Sequence, residues 1–180
     1  SSSEHINRPV QEDDRVEIFG RIFHVIAVPG HTLDHIAYYC DATDGEAPVL
    51  LPGDTLFAGG CGRLFEGSSE QMVDSLGKLQ SLPDATAIYC AHEYTEANLT
   101  FAAAVEPNNS DVAGRLATVR SIRQSDGITL PSTIASEKAT NPFLRCQEHS
   151  VQAAAEKQCT LTNSSHSEIF AAIRGWKDNF

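Results

Sequence analysis

Three short stretches of this chain carry residues able to do chemistry. Pro29-Gly30 hands the chain to His31-Thr32-Leu33-Asp34-His35, Pro52-Gly53 hands it to Asp54-Thr55-Leu56-Phe57, and Ala91 leads into His92-Glu93-Tyr94. Each stretch follows a strand-like apolar run: Ile22 to Val28, Val49 to Leu51, and Thr86 to Cys90. A buried strand that ends in a loop fixes the backbone and exposes the side chain that comes next. Imidazole and carboxylate are the donors taken by zinc and similar divalent ions. His31 is placed to serve one ion and His92 a second, with Asp54, which has two oxygens, bridging them. A pair of ions bridged in this way brings the pKa of a shared water toward ~7 and makes a nucleophile for an ester or thioester carbonyl. Spacing alone leaves the plainer alternative open, since an aspartate after glycine is an ordinary turn residue.

The elements that must position these loops are legible from pattern. Val16 to Phe19, a turn at Gly20, and Ile22 to Val28 read as a β-hairpin, and Ile36 to Cys40 as a further strand before the turn signal Asp44-Gly45. Residues 1–14 are polar and read as an exposed lead-in. Ser68 and Gln71 have the spacing of a capping box, and Met72, Leu76 and Leu79 follow at helical period, which predicts a helix over 69–81 ended by Pro83. From His92 onward the texture becomes helical, with helices predicted at 94–105, 111–124, 148–157 and 165–178 and a connector over 131–142. The boundary near His92 divides the chain into 1–91 and 92–180.

Composition narrows the classes of function. The 180 residues carry a formal net charge of −11, which repels nucleic-acid phosphates and anionic membranes. An anionic substrate therefore needs a local basic cluster. No run reaches the ~20 apolar residues of a membrane span, and no signal-peptide pattern opens the chain. Five cysteines (Cys40, Cys61, Cys90, Cys146 and Cys159) are scattered without a C-x-x-C pair, which favours structural thiols, a reducing compartment and the cytoplasm. A monomer is the expected state.

The motifs Gly30-His31-Thr32-x-x-His35, Gly53-Asp54-Thr55-Leu56-Phe57 and Ala91-His92-Glu93-Tyr94-Thr95 together resemble the metallo-β-lactamase superfamily. Gly60-Cys61-Gly62-Arg63-x-Phe65-Glu66-Gly67, Asn141-Pro142-Phe143-Leu144-Arg145 and Arg174-x-x-Lys177-Asp178 narrow the resemblance to the glyoxalase II (hydroxyacylglutathione hydrolase) family, from about residue 15 to Phe180. The resemblance implies an α/β fold, part of an αββα sandwich followed by an all-helical C-terminal domain. It implies a metal-dependent hydrolase cleaving S-(2-hydroxyacyl)glutathione, typically S-D-lactoylglutathione, to a 2-hydroxy acid and glutathione in methylglyoxal detoxification. Two divalent ions, zinc, iron or manganese, are the implied cofactors, with His31, Asp54 and His92 as ligands and Asp54 orienting the metal-bound hydroxide. Arg63, Phe65 and Tyr94 are implied to meet the glutathione moiety, and Arg174 and Lys177 to hold its carboxylate. The last pair also makes physical sense, because positions three apart on a helix share a face.

The family's first motif, His-x-His-x-Asp-His, does not occur in these residues. The expectation is therefore that one side of the sandwich and four further metal ligands lie outside the chain. An apolar sheet face would then be exposed, metal would be held weakly, and the isolated chain would be nearly inactive. The alternative reading is a non-catalytic remnant that binds glutathione conjugates without metal. His35 is expected to support the site without ligating metal, and Cys61 to be a small buried side chain.

Overall fold

The computed structural model describes residues 8–43 and 45–180, so part of the expected lead-in, and Asp44 of the expected turn, lie outside the described residues. β1 (Arg15–Ile18) and β2 (Arg21–Ala27) form the hairpin that the alternation predicts. Its turn residues Phe19 and Gly20 have φ of 51° and 77°, the two positive values of a type I′ turn. β3 (Ile36–Cys40) and β4 (Val49–Leu51) extend the sheet antiparallel. Next in sequence, β5 (Leu56–Phe57) and β6 (Gly60–Cys61) make a separate two-stranded hairpin. β7 (Ala87–Ile88) then returns to the main sheet, parallel to β4, and β8 (Ser132–Thr133) closes the order β1-β2-β3-β4-β7-β8.

Residues opposite each other in a ladder share a face, so the register separates the two faces of the sheet. Ile26, Ala37, Tyr39, Leu50 and Ile88 belong to one face and join the main core. The other face carries Val25, Tyr38 and Leu51 in one row and Cys40 and Val49 in another. Tyr38, Val49 and Leu51 on it stay only half-buried, and none of these five residues joins a core cluster. The exposed apolar face expected from the sequence is met only in part, because Val25 and Cys40 are buried and none of the five is exposed.

Six helices among the described residues complete the fold. α1 (Ser69–Gln80) starts with the capping box of Ser68 and Gln71, and its Met72, Leu76 and Leu79 are buried. α2 (Thr95–Val105), α3 (Ser110–Gln124), α5 (His149–Gln158) and α6 (His166–Asp178) fall within a residue or so of the predicted helices. α1 and α6 pack together against the sheet. Leu76, Leu50, Ile88, Ile169, Phe170 and Ile173 lie in one apolar cluster, and each such side chain, fully buried, contributes about 1.5–3 kcal/mol.

The segment 131–142 corrects two expectations. It is not a connector but holds β8 and α4 (Ile134–Thr140), so the region after His92 is helical except for one strand. α4 is a single seven-residue helix with no sustained apolar period, and Thr133 caps it by accepting from the Ser136 N–H. What α4 contributes is Glu137, a carboxylate with no solvent exposure. Its Oε2 accepts from the Gly59 N–H at 2.8 Å and from Asn141 Nδ2 at 2.9 Å, while Oε1 accepts from Arg115 at 2.7 Å and from Ser132 Oγ. Asn141 also donates to the Gly60 carbonyl at 2.9 Å, and Asn98 of α2 donates to the Ala58 carbonyl at 3.0 Å. A buried charge persists only when it is paired and hydrogen-bonded. Here that pairing fastens the turn of the β5–β6 hairpin to the helices.

Candidate active site

The β5–β6 hairpin is the centre of the site because the chemistry sits on both of its legs. Asp54 lies two residues before β5 and Arg63 two after β6. The legs are joined above the hairpin by the Gly62 N–H donating to the Thr55 carbonyl at 3.3 Å. His31 is tied to the same leg, since its Nδ1 lies 2.8 Å from the Arg63 carbonyl. A carbonyl only accepts, so Nδ1 carries the proton and Nε2 keeps a lone pair free to meet a metal ion.

The eight residues singled out in the sequence converge here. His31, Asp54, Arg63, Phe65, His92, Tyr94, Arg174 and Lys177 all line one cavity of about 550 Å³, together with Phe57, Cys61, Gly62, Ala97 and Asn98. At one end His92 Nε2 lies 3.4 Å from Asp54 Oδ1. The His92 ring stacks on Tyr94 at 5.2 Å between centroids, and Phe57 meets Tyr94 edge-on at 5.6 Å. Phe65, largely exposed, leans on His31 at 4.8 Å. The loop after His92 is anchored from the helical side, because Glu93 Oε1 accepts from both the N–H and the hydroxyl of Thr129.

His35 supports the site through the backbone. Its Nε2 accepts the Asp54 N–H at 2.9 Å, which leaves the ring neutral with its proton on Nδ1. Burial, followed by the neighbouring His31, lowers its pKa below the ordinary histidine value. Gly53 makes this bond possible: its φ is +55°, and a Cβ there would stand 2.6 Å from His35 Nε2.

The basic end of the cavity is more elaborate than the sequence suggested. Arg174 is buried, with its guanidinium 5.0 Å from the centroid of the Phe143 ring. One terminal nitrogen donates to the Cys61 carbonyl at 3.0 Å and the other to Asp178 Oδ1 at 3.1 Å, while Nε is buried and without a partner among the described residues. Lys177 lies over the Phe101 ring and donates to the Ala97 carbonyl at 3.4 Å. Burial first, and then the Arg174 charge, lower its pKa to about 8. Cys61 is buried, and desolvation pushes its thiol up to about 11 against the pull of Arg174, which fits a packing role. Sequence reasoning missed Asp178, Glu137 and Asn98 as parts of this assembly. Asp178 stood inside the quoted Arg-x-x-Lys-Asp motif, whereas nothing in the local pattern distinguished Glu137 or Asn98.

The residues present suit part of a dinuclear centre. Imidazole and carboxylate are the right donor types, and His31, Asp54 and His92 share one wall. Three donors fall short of the number two ions require, and no group of three or more His, Cys, Asp or Glu stands ready to hold an ion among the described residues.

This fold and this wall of histidine and aspartate define a class. Residues 2–92 match the model of the metallo-beta-lactamase superfamily, and the chain belongs to that superfamily. Residues 93–180 match the model of the hydroxyacylglutathione hydrolase C-terminus. The hydroxyacylglutathione hydrolase of Pseudomonas syringae pv. syringae is 56% identical over 169 residues, covering 94% of this chain and 64% of that protein. That of Pseudomonas aeruginosa is 50% identical over 171 residues, covering 95% and 65%. The chain thus spans about 64% of the length of the curated relatives it matches. Among solved structures, ETHE1 from Myxococcus xanthus is 25% identical with a TM-score of 0.56, over 97% of this chain and 61% of that one. A metallo-beta-lactamase from Staphylococcus aureus shares the fold at 22% identity and a TM-score of 0.54, over 97% and 46%.

Proposed function

We propose that the chain carries the substrate-binding part and one wall of the metal centre of a hydroxyacylglutathione hydrolase. Its substrate would be S-(2-hydroxyacyl)glutathione, S-D-lactoylglutathione above all, cleaved to a 2-hydroxy acid and glutathione. The observation that carries this reading is one cavity lined both by His31, Asp54 and His92 and by the cations Arg63, Arg174 and Lys177. Glutathione conjugates are anionic, and on a chain of net charge −11 those three cations are the local cluster they need.

His31, Asp54 and His92 would hold divalent ions, zinc, iron or manganese, which when bound supply Lewis-acid activation of the thioester carbonyl and of water. The Asp54 carboxylate orients the attacking water and takes its proton. Phe65 and Tyr94 flank the ligand, and Arg63 and Lys177 meet its carboxylates. Arg174, with both terminal nitrogens engaged, adds positive charge from within the cavity wall. The leaving thiol has a pKa near ~8.5, so it departs as thiolate without a strong general acid. We divide the chain functionally at 91/92, the first part carrying His31, Asp54, Arg63 and Phe65 and the second bringing His92, Tyr94, Arg174 and Lys177 to the same cavity. The cytoplasm is supported by free cysteines at Cys40, Cys61, Cys90, Cys146 and Cys159.

A second reading, a remnant that binds glutathione conjugates without metal, is favoured by the small donor set. Zinc retained by the chain and lost in D54A, set beside binding of S-methylglutathione, separates the two. Zinc held through Asp54 together with S-methylglutathione binding supports the hydrolase part, binding with no zinc retained supports the remnant, and no S-methylglutathione binding refutes both.

A further inference from the structure

Arg63 is a largely exposed side chain on a loop, and such a side chain gives up considerable rotamer freedom when it binds a ligand. Its guanidinium does not stand alone. Arg63 Nε lies 3.4 Å from Asp178 Oδ1, in the last turn of α6. The same oxygen accepts from Arg174 at 3.1 Å, and Arg174 is itself buried and bonded to the Cys61 carbonyl. A chain of charges therefore runs from the core outward: the fixed Arg174 holds Asp178, and Asp178 holds Arg63. A contact made through Nε engages the inner edge of the guanidinium and does not use the two terminal amino groups, which are the ones that grip a carboxylate in bidentate fashion.

From this geometry we infer that Asp178 is the positioning residue for Arg63, orienting its guanidinium toward a ligand carboxylate. This inference rests on the reading of the cavity as a glutathione site. Asp178 lies close to the cavity's cations and, among the described residues, is the one carboxylate that links two of them. It also offsets part of their mutual repulsion while leaving net positive charge for an anion. Its role is therefore to restrict Arg63, and the loss of affinity expected when it is removed must pass through Arg63.

Two measurements on the 180-residue chain test this. The first is the Nε–H signal of Arg63 in a proton–nitrogen NMR spectrum, assigned by its loss in R63K. It should be visible and protected in the parent chain and lost or broadened in D178N. The Nε–H of Arg145, which donates to Glu106 at 2.7 Å, should persist in both as a control for the fold. The second is the affinity for S-methylglutathione by calorimetry. D178N should weaken binding about fivefold, the upper range for a partly exposed ion pair. In an R63A background D178N should cause no loss of affinity, because coupled residues are non-additive. An Arg63 signal indifferent to D178N overturns the inference, and so does an equal loss of affinity in both backgrounds. A chain whose Arg63 signal depends on Asp178 but which binds no S-methylglutathione refutes the glutathione reading and upholds the positioning.

Discussion

Gly62 lies so close under Asp54 that a Cβ at position 62 would stand 2.0 Å from the Asp54 carbonyl oxygen. The next contact of that Cβ would be His31 Nδ1 at 3.2 Å. One glycine therefore lets the loops bearing His31 and Asp54 share the space beside the hairpin. Replacing it, G62A, must move the Asp54 backbone, the Arg63 carbonyl that holds His31, or both. Overpacking of this kind costs about 1–3 kcal/mol, so the urea midpoint should fall measurably. An unchanged midpoint would mean that the legs of the hairpin separate freely.

The buried carboxylate of Glu137 makes a second prediction. Removing one partner of a buried, hydrogen-bonded ion pair strands the other and costs about 3–5 kcal/mol. E137A leaves Arg115, the Gly59 N–H and Asn141 short of a partner at once. The expected result is a cooperative unfolding transition shifted by that amount, or a chain that does not accumulate folded. An exposed control such as E156A should leave the transition in place. A loss below about 1 kcal/mol for E137A, the range of surface pairs, would show that the network does not clamp the hairpin.

Lys177 makes the site sensitive to alkaline pH. Its folded pKa is lowered to about 8, whereas an unfolded lysine titrates near ~10.4. Between these values the unfolded chain binds more protons than the folded one, so this residue makes stability rise as pH rises through the window. Comparing urea unfolding of the parent and of K177M from about pH 7 to ~10.4 isolates this contribution, because the other groups titrate in both. The parent curve should climb relative to the variant. Affinity for S-methylglutathione should run the opposite way and fall as pH passes about 8, because the neutral amine no longer attracts a carboxylate. A relative stability curve that is flat across this range would contradict the assigned environment.

The small donor set predicts weak metal binding. After zinc loading and gel filtration, the 180-residue chain should retain well under two equivalents by elemental analysis, since two such ions need about eight ligand positions. D54A should abolish what remains, as Asp54 is the donor proposed to be common to both positions, whereas H92A should spare the His31 side. Two tightly held equivalents in the parent chain would mean that donors other than His31, Asp54 and His92 complete the centre.

Much of this protein was legible in its sequence, and for definite reasons. The β-hairpin turning near Gly20, the Ser68–Gln71 capping box and the apolar spacing of α1 and α3 are local signals, complete within a few residues, although the structure moves Phe19 from the strand into the turn. The loops bearing His31, Asp54 and His92 were visible because strand runs stop at Pro-Gly or Ala-His punctuation, and the closing motif marked Arg174 and Lys177. Tertiary structure decided what local pattern cannot carry. α4 and β8 are too short to show a period and exist because Glu137 and Ser132 find partners across the chain. Arg174 reads in sequence as half of a carboxylate clamp with Lys177 but lies in the core in space, where the Cys61 carbonyl and Asp178 engage its terminal nitrogens. The lowered pKa of Lys177 and the bond between His35 and the Asp54 N–H likewise arise only when segments distant in sequence share a wall. Residue type and spacing are local properties that a chain displays unfolded, whereas desolvation and charge pairing depend on what folding brings alongside.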